Sequence, residues 1–164
     1  MTQKQQDPGP FIVELGLRWG DMDSLGHLNN VQFARLFEEA RVRAMDAWAA
    51  ELPASPERAA TGMVVAHQEI EFAAPLYYST EPARCEVWVS RIGGRSFDFA
   101  CRLLAADGTL GAISETTLAV VDPAASTAQP IPEQFRAVLD AHLGEPAPFR
   151  RRRATADRPV GGSR

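Results

Sequence analysis

The chain has 164 residues, 45% of them hydrophobic and 23% charged, with a formal charge of −4. That length allows one domain with a real core and short tails. Six arginines against one acid in residues 149–164 leave −9 on the other 148, and so acidic a body argues against general nucleic-acid binding.

The first nine residues are polar and hold no apolar leader run, which marks them as a flexible segment. No window approaches about 18 consecutive apolar residues, so the sequence predicts no spanning helix, no membrane partner and a cytoplasmic setting. Phe11, Val13, Leu15, Leu17 and Trp19 alternate with other residues and predict a first strand. A polar loop from Asp21 to Asn30 follows. Then Phe33, Leu36, Phe37, Ala40, Ala44, Met45 and Trp48 recur at three- and four-residue steps, which predicts one buried helix face over 30–50. Asn29 or Asn30 would cap it, and Pro53 and Pro56 would open a loop behind it.

Four more strands are predicted over 62–73, 83–91, 95–105 and 109–121. Cys85, Val87 and Val89 share one parity, as do Phe97, Phe99, Cys101 and Leu103. A three-residue turn Ile92-Gly93-Gly94, with glycine in the left-handed region, would pair Val89 with Phe97, Val87 with Phe99 and Cys85 with Cys101. Asp107-Gly108 would make a two-residue turn into the last strand. His67 would share a strand face with Met63, Val65, Glu69 and Glu71. A short helix is predicted over 132–142. Residues 144–164 hold the basic run Arg150–Arg153 with Pro, Gly and Ser and no apolar pattern, so they read as a disordered, dispensable tail. The resulting class is α+β, one antiparallel five-stranded sheet with a long helix, in a single domain over 10–143. His27, His67 and His142 stand apart from one another and from both cysteines, so no metal site is expected.

Chemistry concentrates in the Asp21–Asn30 loop, where two carboxylates, an imidazole and two amides precede a helix N-terminus. Loops on rigid elements commonly carry function, and a helix N-terminus offers free N–H groups to developing negative charge. Capping and turn formation account for the same residue types, and both readings stand at this point. Asp21 suits a structural role, accepting backbone hydrogen bonds in the turn.

The run Asp21-Met22-Asp23-Ser24-Leu25-Gly26-His27-Leu28-Asn29-Asn30, with Phe33 and Phe37-Glu38-Glu39-Ala40-Arg41, resembles the N-terminal signature of hotdog-fold acyl-CoA thioesterases. The likeness is to the branch typified by 4-hydroxybenzoyl-CoA thioesterase and the YbgC-like enzymes. It continues through Val65–Phe72, Pro75-Leu76, Val89–Gly93, Asp122-Pro123 and Pro130-Ile131-Pro132. The resemblance implies a hotdog fold, a sheet wrapped around one long central helix. It implies Asp23 as the catalytic carboxylate, as general base or nucleophile, and His27 as a second catalytic-site residue that binds substrate or orients Asp23, although satisfying loop carbonyls would also account for it. Backbone around Gly26–Asn30 would bind the thioester carbonyl, so Gly26, Asn29 and Asn30 count as substrate-binding. Arg91 and Arg95 are candidates to grip coenzyme A phosphates. Phe33 stands where many relatives have Tyr. The substrate would be an acyl-CoA or aryl-CoA, with carrier-protein thioesters, a non-catalytic acyl-CoA binder or a dehydratase as alternatives. No cofactor is implied, and the assembly would be a homodimer or homotetramer.

Overall fold

The structure, a computed structural model, describes residues 9–50, 52 and 61–150. The expected N-terminal segment up to residue 8, the Pro53–Pro56 loop and Arg151–Arg153 lie outside the described residues. Strand β1 (Phe11–Leu15) leads through a 3-10 turn (Trp19–Asp21) to helix α1 (Asn30–Ala50). Strands β2 (Gly62–Phe72), β3 (Ala83–Ile92), β4 (Ser96–Leu104) and β5 (Leu110–Asp122) follow. A two-residue strand β6 (Thr127–Ala128) and helix α2 (Glu133–Ala141) close the order. The sheet is antiparallel in the order β1-β3-β4-β5-β2, with β6 on β5. This is the hotdog fold. No helix among the described residues is long and apolar enough to cross a membrane.

Helix α1 forms because its apolar residues recur on one face, and Phe33, Leu36, Phe37, Ala40, Ala44 and Trp48 are all buried there. Opposite them stand Cys85, Val87, Val89, Phe97, Phe99, Cys101 and Leu103, one parity of β3 and β4, in the same core. At the far end, the Trp48 ring stacks on His142, 3.9 Å between centroids, and meets Phe99 and Phe11. The first strand is shorter than predicted. It ends at Leu15, and Trp19, four-fifths exposed, belongs to the 3-10 turn.

The β3–β4 register differs from the expected one by two residues. Val89 faces Phe99, Val87 faces Cys101 and Cys85 faces Leu103, with an irregularity between Val89 and Arg91. The extra residue, Ser90, is held by its hydroxyl, which donates to Glu115 Oε2 at 2.9 Å, and the turn moves to Gly93-Gly94-Arg95. A slide of two preserves the faces, so the core assignment survives the wrong partners. The two cysteines are therefore diagonal neighbours. Both are free and buried, and the bond to Cys101 and burial together push the Cys85 thiol well up. Neither glycine of this turn has a positive φ. The left-handed hairpin glycine is instead in the next turn, Gly108 (φ +86°), a three-residue turn where Ala105 N donates to Thr109 O and Gly108 N to Ala105 O. In β2, a second irregularity between Val65 and His67 switches faces. Met63 and Val65 stay opposite core residues Val120 and Leu118, whereas His67, Glu69 and Glu71 turn to the outer side.

The largest departure is at the C-terminus. Where a tail was expected from residue 144, residues 143–150 lie as a strap across the outer sheet face. Val89 N donates to His142 O, Gly144 N to Val89 O, and Trp88 Nε1 to Glu145 O at 2.7 Å. Ala147 and Phe149 are buried against Ala100 and Ile113, with Trp88 and Leu110 beside them. Apolar outward positions on β4 and β5 thus gain a cover, which a stretch of prolines and arginines with two apolar anchors, Ala147 and Phe149, does not advertise. Phe149→Ala should lower unfolding free energy by about 3 kcal/mol, the cost of an emptied aromatic site. Truncation after Gly144 should cost at least as much. Denaturant titration checks both, and an unchanged midpoint for either would restore the dispensable tail.

Candidate active site

Asp21 builds the loop. Its carboxylate is 1% exposed and takes four hydrogen bonds. Arg18 donates its backbone N and Nε, at 2.9 and 3.0 Å, and its Nη2 at 2.8 Å; Arg35 of α1 donates Nη2 at 3.1 Å. The Asp21 carbonyl accepts Asn29 N at 3.0 Å. One residue thereby holds the 3-10 turn, the loop exit and the second turn of α1. Burial alone would raise its pKa. The hydrogen bonds from Arg18 and the charges of Arg35 and Arg18 outweigh that, and the carboxyl titrates below the usual carboxylate range.

Within this frame the chain turns back on itself at Asp23. Asp23 N donates to His27 O at 2.8 Å and Gly26 N to Asp23 O at 3.0 Å, and Gly26 takes φ +75°. Asp23 Oδ1 accepts Leu25 N at 2.8 Å and His27 N at 3.2 Å. Oδ2 has no partner among the described residues. The carboxylate is therefore fixed by one oxygen and open at the other. His27 is half-buried, bridges in backbone to Tyr77 and meets its ring edge-on at 5.1 Å. Asn29 Oδ1 accepts Val31 N at 3.0 Å, which makes Asn29 the helix cap.

The expected carbonyl-binding backbone narrows accordingly. The N–H groups of Gly26, His27, Leu28 and Asn29 are all spent, on Asp23 O, Asp23 Oδ1, Leu76 O and Asp21 O. Asn30 N–H, at the first position of α1, keeps no intrachain partner among the described residues. Asp23, His27, Leu28, Asn30 and Phe33 line one side of an open pocket of about 460 Å³. Phe72, Ala73, Ala74 and Pro75 form its other wall, with the Phe33 and Phe72 rings edge-on at 5.2 Å. Gly26 and Asn29 adjoin the pocket in sequence but are not among its lining residues.

Sequence reasoning missed the Phe72–Pro75 wall. Its signal was present: a β2 pattern ending in two alanines and a proline, which stop the ladder and leave room. Arg91 and Arg95 are not brought to this pocket. They sit at the β3–β4 turn, which the register places beside the Gly62 end of the β2–β5 pair, whereas the pocket lies at the Phe72 end. Arg91 is moreover engaged by Asp98, through Nε at 2.5 Å and Nη2 at 2.9 Å, and that pairing raises its pKa. Among the described residues no cluster of His, Cys, Asp or Glu is arranged to hold a metal ion.

A sequence profile described as the thioesterase-like superfamily matches residues 17–139. No curated protein matches the chain. Among solved structures, PA2801 of Pseudomonas aeruginosa, which carries a provisional thioesterase assignment, is 28% identical, with a TM-score of 0.66 over 78% of this chain and 96% of that one. The PA5185 protein of Pseudomonas aeruginosa strain PAO1 is 19% identical, with a TM-score of 0.73 over 84% and 94%. Slr0204 of Synechocystis, a 1,4-dihydroxy-2-naphthoyl-CoA thioesterase, is 18% identical, with a TM-score of 0.66 over 80% and 96%. The last two likenesses concern the fold.

Asp21→Asn should cost about 2 kcal/mol at neutral pH, because its arginine partners lose a charged acceptor. The native pKa lies below the unfolded value of about 3.9, so the carboxylate's contribution is complete above that pH and is lost as pH falls through the native value. The variant should therefore show a shallower loss of stability below about pH 4. Urea titrations at pH 7 and at steps below pH 4 check this, and parallel acid limbs would place the acid-sensitive group elsewhere.

Proposed function

Because the chain belongs to the thioesterase-like superfamily, we propose that it hydrolyses an acyl-CoA or aryl-CoA thioester to the free acid and coenzyme A. On this reading it falls in the 4-hydroxybenzoyl-CoA thioesterase and YbgC-like branch. The observation that carries the proposal is the pairing of an open Asp23 Oδ2 with the unspent Asn30 N–H on one apolar pocket.

A thioester carbonyl needs an attacking oxygen and a donor for its oxyanion. Asp23 Oδ2 takes a proton from water as the water oxygen bonds to the carbonyl carbon, and Asn30 N–H donates to the resulting oxyanion. Collapse breaks the carbon–sulfur bond, and Asp23 returns its proton to the thiolate. In the second route Asp23 Oδ2 attacks the carbon itself, expels the thiolate and forms an anhydride that water then hydrolyses. Neither route needs a phenol, so Phe33 in place of Tyr is compatible with both. His27 orients the Asp23 turn through its backbone N–H and O, and its ring lines the mouth of the site. Leu28, Phe33 and Phe72 take the acyl group.

The β2 edge supports an assembly of two chains. It is eleven residues long, and Met63, Val64 and Val65 are 39–49% exposed along it. Two-fold pairing of two such edges is antiparallel, which sets the Phe72 end of one β2 beside the Gly62 end of the other. Each pocket then lies toward the partner's end that carries the β3–β4 turn, and there Arg95 would reach coenzyme A phosphate across the interface. Sedimentation should give about twice the 17.9 kDa chain mass, and a stable, active monomer would contradict the composite site.

Free-thiol release over aliphatic and aromatic acyl-CoAs tests the activity. Asp23→Asn should lower kcat at least about 100-fold, with KM changed far less, because the loss is confined to the reacting step. A profile restricted to carrier-protein thioesters would move the substrate class. Near-native turnover in Asp23→Asn would remove the carboxylate from the mechanism.

A further inference from the structure

The C-terminal strap begins beyond residue 139, where the family match ends, and its last described residue reaches back to the candidate site. Phe149 is fully buried on the outer sheet face and fixes where Arg150 emerges. Arg150 N donates to Glu71 Oε2 at 3.0 Å, and its Nε lies 3.2 Å from Glu71 Oε1. Its Nη2 donates to the carbonyl of Phe72 at 3.1 Å. Glu71 and Phe72 are the last two residues of β2, and the chain continues directly into Ala73, Ala74 and Pro75. The pocket wall that faces Asp23 and His27 is thus bracketed on the strap side by one guanidinium and on the sheet side by Gly111 O, which accepts Ala73 N and Ala74 N at 2.8 and 3.2 Å.

We propose that Arg150 is a positioning residue for the candidate site, clamping the end of β2 so that Phe72–Pro75 stands at a fixed distance from Asp23 and the N-terminus of α1. The side chain is two-thirds exposed, so as a bare ion pair it would contribute little. Its leverage comes from geometry. A planar fork engages a carboxylate and the adjacent backbone carbonyl together, which fixes orientation as well as distance. The wall it holds touches substrate without touching the reacting atoms. Loss of the clamp therefore removes binding common to ground and transition states and appears in KM.

The test uses full-length Arg150→Ala and Arg150→Lys, with Arg84→Ala as a control at an exposed β3 arginine paired with Glu86. Arg150→Ala should speed amide exchange at Ala73 and Ala74 about tenfold and leave β3 and β4 unchanged. KM for a cleaved acyl-CoA should rise about three- to tenfold, with kcat within about twofold. Lys should recover part of both effects through a single bond to Glu71, and Arg84→Ala should show neither. Unchanged exchange with KM within twofold would overturn the clamp. So would a uniform rise in exchange across the sheet, or the same changes in Arg84→Ala. The kinetic arm rests on the thioesterase reading. A wild type that cleaves no acyl-CoA sinks that reading alone and leaves the exchange arm to decide the clamp.

Discussion

One buried carboxylate organises this molecule's chemistry. Asp21 sits at the junction of the 3-10 turn, the loop and α1, and its side chain and carbonyl together hold Arg18, Arg35 and Asn29. A carboxylate taken from water is tolerable only if its lone pairs are filled and its charge is matched, and here both conditions are met. Because Asp21 takes the structural duty, Asp23 two residues later is free to keep one oxygen uncommitted. The division is also electrostatic. Two arginines reach Asp21, whereas Asp23 is held by backbone N–H groups, which fix its position without neutralising it.

The sheet is used on both faces, and this sets where the pocket lies. Helix α1 covers the inner face of β3 and β4, while β2 projects beyond it as an exposed edge. The pocket occupies the step between the start of α1 and the end of β2. Such a step is cleft-like without any special carving, since a helix ten or so ångströms across cannot cover five strands. The strap covers the outer face of β4 and β5 and ends at the same corner as the pocket. Both layers therefore converge on the Phe72–Pro75 wall from opposite sides.

Most of the fold was legible because periodicity is a local signal. The α1 pattern gave Asn30–Ala50 at both ends, and the β-strand patterns gave four strands to within two residues. Register was not legible, because Ser90 and Ala66 each add one residue to a strand and nothing in their side chains announces it. The strap was missed for a different reason. Ala147 and Phe149 are two anchors among prolines and arginines, and their partners Ala100 and Ile113 lie far away in sequence. Within the site, the residue types of the loop were legible and their assignments were only partly so. Which N–H groups remain unspent depends on long-range partners such as Leu76 O and Asp21 O, and of Gly26, Asn29 and Asn30 only Asn30 keeps an N–H without a partner among the described residues. Arg91 looked available in sequence because Asp98, seven residues on across the turn, becomes its partner only once the bulge is formed.

On the proposed reading, Asp23 Oδ2 and Asn30 N–H address one carbonyl. The sharpest check is a crystal structure with a non-hydrolysable ketone analogue of an accepted acyl-CoA, in which a methylene separates the carbonyl from the sulfur. The acyl group should lie against Phe33 and Phe72, its carbonyl carbon about 3 to 3.5 Å from Asp23 Oδ2 and its oxygen within hydrogen-bond reach of Asn30 N. An analogue lodged instead in the cavity of about 290 Å³ beside Trp88 and Arg102, under the strap, with the Asp23 pocket empty, would contradict it.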